Sequence, residues 1–352
     1  MELLFWFSLI FVAYVYFGYP LALAVFRRIA ARPVKKAYGE PSVSIVIAAH
    51  NERLRIEKKL WNCLELDYPR HKLQIVVGLD GPTDGTEVIV RQYMPRGVEL
   101  VHMKEHRGKA SALNCAMERA TGQIVVFTDV RQKFDRAALR ELVANFSDKT
   151  VGAVSGELIL MDGSNNESKS DVGLYWRYEK LIRSMESDIH SVAGATGAIY
   201  AIRRELYQVL PENTLVDDVL VPMRIVFGGK RVVLDATAKA YDVVACCPMA
   251  ESGRKVRTLA GNYQLIMQLP QLLLPWRNPI FFQFISHKLG RLLVPYALIA
   301  LLVSNLCLLH GIYAWFLGFQ GVWYVFACVG YLQSRREVVT PMFVADEVKR
   351  AA

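Results

Sequence analysis

The chain has 352 residues, of which 53% are apolar and only 21% charged, with a mean hydropathy of +0.21. A composition this apolar excludes a disordered chain, and its concentration towards the two ends argues against a purely soluble enzyme. The net charge of +9 raises nucleic acid as a partner, but the cations gather beside apolar runs: Arg27, Arg28, Arg32, Lys35 and Lys36 after the first, and Arg254, Lys255, Arg257, Arg277, Lys288 and Arg291 before the next. Juxtamembrane Lys and Arg mark the cytoplasmic side of a bilayer, and no basic stripe interleaved with stacking aromatics accompanies them. The expected partner is a lipid bilayer, with no nucleic acid. Cysteines at 63, 115, 246, 247, 307 and 328 form no CxxC pair, which suits a reducing compartment without disulfides or zinc.

In chain order, Leu3 to Phe26 is an uncharged run of about 24 residues, long enough to span a hydrocarbon core. A cleaved signal peptide would put its cations first, whereas here Glu2 leads and the arginines follow. Residues 1–28 therefore read as an uncleaved transmembrane helix leading into the cytoplasm. From 42 to 242, strands alternate with amphipathic stretches. Ser42–Ala48, Leu73–Leu79, Val98–Met103 and Gln123–Thr128 read as strands; Glu52–Leu66, Asp84–Tyr93 and Lys109–Ala120 read as helices. Such alternation predicts an α/β domain over 40–250, a doubly wound and mostly parallel sheet that binds ligands beyond its strand ends. Asp162 to Ser170 reads as a polar loop. Residues 251–288, broken by Pro270, Pro275 and Pro279, suit short interfacial helices or a re-entrant segment. Leu292 to Leu332, about 41 residues without Lys, Arg, Asp or Glu, fits two spans within 289–333 broken at His310-Gly311, and Arg335 and Arg336 begin a cytoplasmic tail, 334–352.

The chemically capable residues fall at the strand ends. His50-Asn51-Glu52 follows the first strand. Asp80-Gly-Pro-Thr-Asp-Gly-Thr86 ends the second, its turn residues exposing a carboxylate, although a helix cap would look the same. His106-Arg-Gly-Lys109 opens a helix whose N-terminus and lysine suit a diphosphate, or form an ordinary basic turn. Asp129 follows Val-Val-Phe-Thr, where a carboxylate suits Mg2+ or Mn2+ held with substrate phosphates, or caps a helix. Asp217-Asp218 opens an apolar helix, and adjacent carboxylates that repel one another suit a general base.

Taken in that order these motifs resemble the membrane-bound family-2 inverting glycosyltransferases, the group of the cellulose, hyaluronan and poly-N-acetylglucosamine synthases, over roughly residues 40–310. The resemblance implies a GT-A-like fold. It implies nucleotide-sugar binding by His50, Asn51, Glu52 and Asp80, and diphosphate binding by the Gly108-Lys109-Ala-Ser-Ala-Leu-Asn114 helix start. It places the metal on Asp129, the catalytic pair on Asp217-Asp218 with Asp218 as base, and the acceptor against Gly194, Ala195, Thr196 and Trp176. Two departures stand out. Arg131 occupies the second Asp of Asp-x-Asp, leaving one carboxylate for the metal or an arginine for phosphate. Gln-x-x-Arg-Trp survives only as Arg254-Lys-Val-Arg257-Thr258, whose arginines would meet the leaving diphosphate. The function so implied is transfer of a sugar from a UDP-sugar to a polysaccharide or lipid-linked acceptor, by a multi-pass inner-membrane enzyme with a cytoplasmic active site. A processive synthase with three spans would need self-association or a secretion partner. Single addition to a lipid, as ceramide glucosyltransferases perform, and a non-catalytic nucleotide-sugar-binding subunit are the competing readings.

Overall fold

Val43–Ala49 (β1) is a β-branched and apolar run buried almost throughout, the pattern of a strand covered on both faces. The computed structural model describes residues 1–161, 174–243 and 248–351, so the polar loop expected at 162–170 and the Cys246-Cys247 pair lie outside the described residues. β1 pairs in parallel with Leu73–Asp80 (β2) on one side and Ile124–Thr128 (β4) on the other, and β2 pairs in parallel with Val98–Met103 (β3). The sheet continues through Lys133–Phe134 (β5), Val151–Met161 (β6), Tyr200–Arg203 (β7) and Arg231–Val243 (β8), in the order β3-β2-β1-β4-β7-β6-β8-β5.

The half containing β1 to β4 is wholly parallel, as the alternation predicts. Beyond it the sheet is mixed: β7 enters antiparallel between β4 and β6, β6 and β8 are parallel, and β5 closes the edge antiparallel to β8. Ile45, Ile47, Ile75, Val77, Leu79, Val126 and Ile199 build one core across both halves. The strand order reverses on either side of β1, because the chain steps outward from β1 to β2 and β3 and then returns to β4 on the other side. The carboxyl ends of β1, β2 and β4 therefore open together at a topological switch point, where open α/β sheets bind ligands.

The chain divides into two compact units: Leu23–Val244 with Ala260–Phe284, which holds the sheet, and Met1–Ala22 with Ala245–Leu259 and Ile285–Ala352. Among the described residues, three helices are long and apolar enough to cross a membrane: Glu2–Ala30, Phe281–Leu306 and Ile312–Leu332. The first is interrupted by a π-helical turn at Tyr14–Gly18, and the third is separated from the second by a break at 307–311, the place of His310-Gly311. Within the second unit Phe5 meets Tyr313 edge-on at 5.0 Å between ring centroids, and Trp6 donates to the Tyr313 hydroxyl at 3.3 Å. Where short interfacial helices are expected, Pro248–Gln268 is one helix of 21 residues, followed by the short 3-10 turn Pro270–Leu273.

Candidate active site at the strand ends

The loop after β1 is shaped by the turn after β2. Asn51 has φ of +52°, the one left-handed non-glycine among the described residues, and its Oδ1 accepts the Thr83 N–H at 2.8 Å. Asn tolerates that region because its short side chain bonds locally. The Asp84 carboxylate accepts the backbone N–H groups of Arg53 (2.9 Å) and Thr86 (3.0 Å), sewing the two loops together.

Asp80 is buried, with 2% of its surface exposed, and both of its carboxylate oxygens are engaged. Oδ1 accepts the Arg107 N–H at 2.7 Å; Oδ2 accepts the Gly108 N–H at 2.9 Å and stands 2.7 Å from His106 Nδ1. Asp80 thus holds the loop that leads into helix Lys109–Arg119. Gly81 has φ of +55°, and a Cβ there would stand 2.5 Å from the His106 backbone nitrogen, so the loop can cross only a glycine. His50 Nδ1–H donates to the Asp80 carbonyl at 2.5 Å while its Nε2 accepts from Asn51 Nδ2 at 3.2 Å. The His50 and His106 rings lie 4.1 Å apart at 33°.

Lys109, first residue of its helix, spans two further elements. Its Nζ is 2.9 Å from Asp129 Oδ1, beyond β4, and 3.2 Å from Asp217 Oδ1, at the head of helix Asp217–Phe227. Burial lowers the Lys109 pKa, but Asp129, Asp217 and Asp218 outweigh it and hold the ammonium well above its ordinary value. Burial likewise raises Asp129, and Lys109, Arg131 and Lys59 more than offset it, leaving the carboxyl below the usual range. Asp217 is buried and its Oδ2 has no hydrogen-bond partner among the described residues. Asp218 is half-buried beside the glycine-rich loop: the Ala195 N–H donates to its backbone carbonyl at 2.7 Å, and a Cβ on Gly197 would lie 2.9 Å from its Oδ2.

Lys109, Asp129, Asp217 and Asp218 therefore come together with the 194–197 loop. Arg131 is turned to Asp242 at the end of β8 (3.2 Å), which also accepts from Gln132 Nε2 at 2.8 Å. Trp176 is half-buried on helix Leu174–Ile189, its indole N–H buried without a partner among the described residues. Arg254 and Arg257 lie on Pro248–Gln268, in a segment of the other unit.

Two oxygen donors fit a hard divalent cation: the part-exposed Asp129 carboxylate and the orphaned Asp217 Oδ2. His50, Asp80 and His106 also offer ligand atoms within 4.8 Å of one another, although contacts within the two loops already occupy many of them.

Two cations escape the motif reading. Lys59 is buried on helix Ile56–Leu64, on the face it shares with Ile56, Leu60 and Cys63. Arg183 donates to Thr196 Oγ1 (2.9 Å), Ser155 Oγ (3.1 Å) and the Gly194 carbonyl (3.2 Å), tying helix Leu174–Ile189 to the loop beside Asp218. A lysine at i+3 of an apolar i, i+4, i+7 stripe is a readable signal; Arg183 carries none.

Residues 44–210 match the family described as Glycosyl transferase family 2. The structure is similar to that of the mannosyltransferase PcManGT of Pyrobaculum calidifontis, described in complex with GDP-Man and Mn2+, with a TM-score of 0.72, 27% identity and 98% of each chain covered. Among curated proteins, the probable glycosyltransferase YdaM of Bacillus subtilis is 25% identical over 195 residues, 53% of this chain and 46% of that one. A poly-beta-1,6-N-acetyl-D-glucosamine synthase of Staphylococcus aureus is 25% identical over 242 residues, 64% of this chain and 56% of that one. The chain spans about half the length of the curated relatives it matches.

Proposed function

We propose that this chain, which carries a glycosyl transferase family 2 domain over residues 44–210 on a GT-A-like sheet, moves a sugar from a nucleoside-diphosphate donor to an acceptor hydroxyl at a membrane surface, with inversion. The observation that carries this reading is Lys109 held between Asp129 and Asp217, with Asp218 beside it on the same helix start.

In this mechanism the donor diphosphate lies over the N-terminus of helix Lys109–Arg119, whose free N–H groups and ammonium face its oxygens. The loops of His50, Asn51, Glu52 and Asp80 carry the nucleoside. Asp218 accepts the proton of the acceptor hydroxyl as that oxygen attacks the anomeric carbon from the face opposite the diphosphate. Negative charge that gathers on the leaving group is met by Lys109, which its acidic neighbours keep protonated. Mg2+ or Mn2+ on Asp129 would, when bound, neutralise phosphate charge, and the Mn2+ of the Pyrobaculum protein supports that choice. Arg183, through Gly194 and Thr196, fixes the loop on which the acceptor rests.

GDP-mannose is the first donor to test, because the similar chain covered end to end is described with it; a nucleotide-activated N-acetylglucosamine is the second, because the Staphylococcus relative is described as a poly-beta-1,6-N-acetyl-D-glucosamine synthase. Purified protein in native-like lipid is expected to release nucleoside diphosphate with one of them and to place the labelled sugar on a lipid or polysaccharide. Donor binding without hydrolysis or transfer, for every nucleotide sugar tried, would favour a non-catalytic subunit instead.

A further inference from the structure

The stretch carrying Asp129 and Arg131 is gripped at both ends by a single helix. On Ile56–Leu64, the Lys59 ammonium donates to Thr128 Oγ1 and to the Gln132 carbonyl, each at 2.7 Å, and stands 4.1 Å from the Phe134 ring centre. Asn62, three residues on and so on the same face, takes both backbone groups of Phe134: its Nδ2 donates to the carbonyl at 3.0 Å and its Oδ1 accepts the N–H at 2.7 Å. Thr128 Oγ1 lies 2.9 Å from the Ala198 carbonyl, so the grip extends to the segment after the Gly194–Gly197 loop.

Lys59 is 2% exposed, and no salt bridge to a carboxylate accompanies it among the described residues. Burying a charge without a counter-ion is costly, and here burial pulls the ammonium down to about 8 against the opposing pull of Cys63 and Asp129. A methionine of similar length would fill that space without the cost. What it could not do is hold the two ends of 128–132 together.

We infer that Lys59 and Asn62 are positioning residues that set the Asp129 carboxylate for a divalent cation. The inference rests on the transfer site proposed above, and a cation probe tests it apart from transfer.

The experiment uses the full-length protein and Lys59→Met and Asn62→Ala variants, titrated with Mn2+ alone by electron paramagnetic resonance, followed by donor kinetics and thermal unfolding. Expected are Mn2+ affinity weakened about 10- to 100-fold in Lys59→Met, a smaller loss in Asn62→Ala, kcat lowered in both, and a melting temperature within a few degrees of the parent. Unchanged or tighter Mn2+ binding in both variants overturns the inference; tighter binding is what loss of a nearby cation would produce by electrostatics alone. A parent that fails to bind Mn2+ also overturns it. If Lys59→Met does not fold, Asn62→Ala decides. Mn2+ binding that follows this pattern in a protein transferring no sugar would leave the inference standing and sink the proposed function.

Discussion

Asp217 and Asp218 are neighbours in sequence but not in surroundings. The first is buried against Lys109; the second is half-buried against the Gly194–Gly197 loop. Asp218→Asn is expected to lower kcat by about 10²- to 10⁴-fold while donor affinity changes less than about threefold, as checked by turnover and by donor calorimetry. In the proposed mechanism Lys109 serves donor binding as well as the reaction, so Lys109→Met should lower both donor affinity and kcat. The charges of Lys109 and Asp129 should not titrate near neutrality. A lysine held above its ordinary value keeps its stabilising contribution below about pH 10.4 and loses it above; a carboxylate held below its ordinary value keeps its contribution above about pH 3.9 and loses it as pH falls further. Donor affinity measured from pH 5 to 9 is therefore expected to show no step from Lys109 or Asp129. All four acidic and basic groups were legible as motif residues: Asp129 as a carboxylate at the end of an apolar strand, Lys109 and the Asp217-Asp218 pair as charges opening helices. Asp80 was legible only as a position. That its oxygens fold a loop depends on where the Arg107 and Gly108 amides point, and no pattern of residue types encodes that.

At the scale of elements, β1 to β4 and the helices between them follow directly from period-2 and period-3.6 patterning, with ends displaced by a residue or a few. β7 does not. Its four residues form an apolar run too short to reveal direction, and it turns the sheet from parallel to mixed. Lys59 was legible in principle as a charge on the apolar face of Ile56–Leu64, but only the fold says that this face meets the Asp129 loop. The helix beginning at Asp217 is tied to the loop at its head by the Ala195 N–H bond to the Asp218 carbonyl, and Gly197 faces the Asp218 side chain. Gly197→Ala would drive a methyl into Asp218 Oδ2, at 2.9 Å. Because small displacements of a reacting group cost heavily, kcat should fall at least about tenfold with donor affinity preserved, and kinetics beside calorimetry would show it.

Across the sheet-bearing unit, the segment between the first helix and β1 is strapped to the far edge of the sheet. Lys36 lies 2.5 Å from the Asp235 carboxylate, which also accepts from Asn145 at 2.6 Å. Burial raises Asp235, yet the hydrogen bonds from Lys36, Thr237 and Asn145 leave it below the usual range; burial lowers Lys36, yet Asp235 and Glu141 leave it raised. The strap's stability is accordingly complete between the two ordinary values and fades as pH drops through the Asp235 pKa. Asp235→Asn is expected to cost about 1–3 kcal/mol at pH 7, seen as a lower melting temperature, with the gap to the parent narrowing below about pH 4. None of this strap was legible, since a lysine after an apolar helix reads equally as a lipid-facing cation.

Lys109 reaches any incoming diphosphate with its ammonium already shared between two acids. An anion arriving there does not enter an unbalanced positive field; it competes with Asp129 and Asp217 for one cation and gains only the difference. Affinity should therefore weaken with added salt more gently than at a surface of unpaired lysines. With divalent cations withheld, substituting either aspartate by its amide should tighten the grip on nucleoside diphosphate.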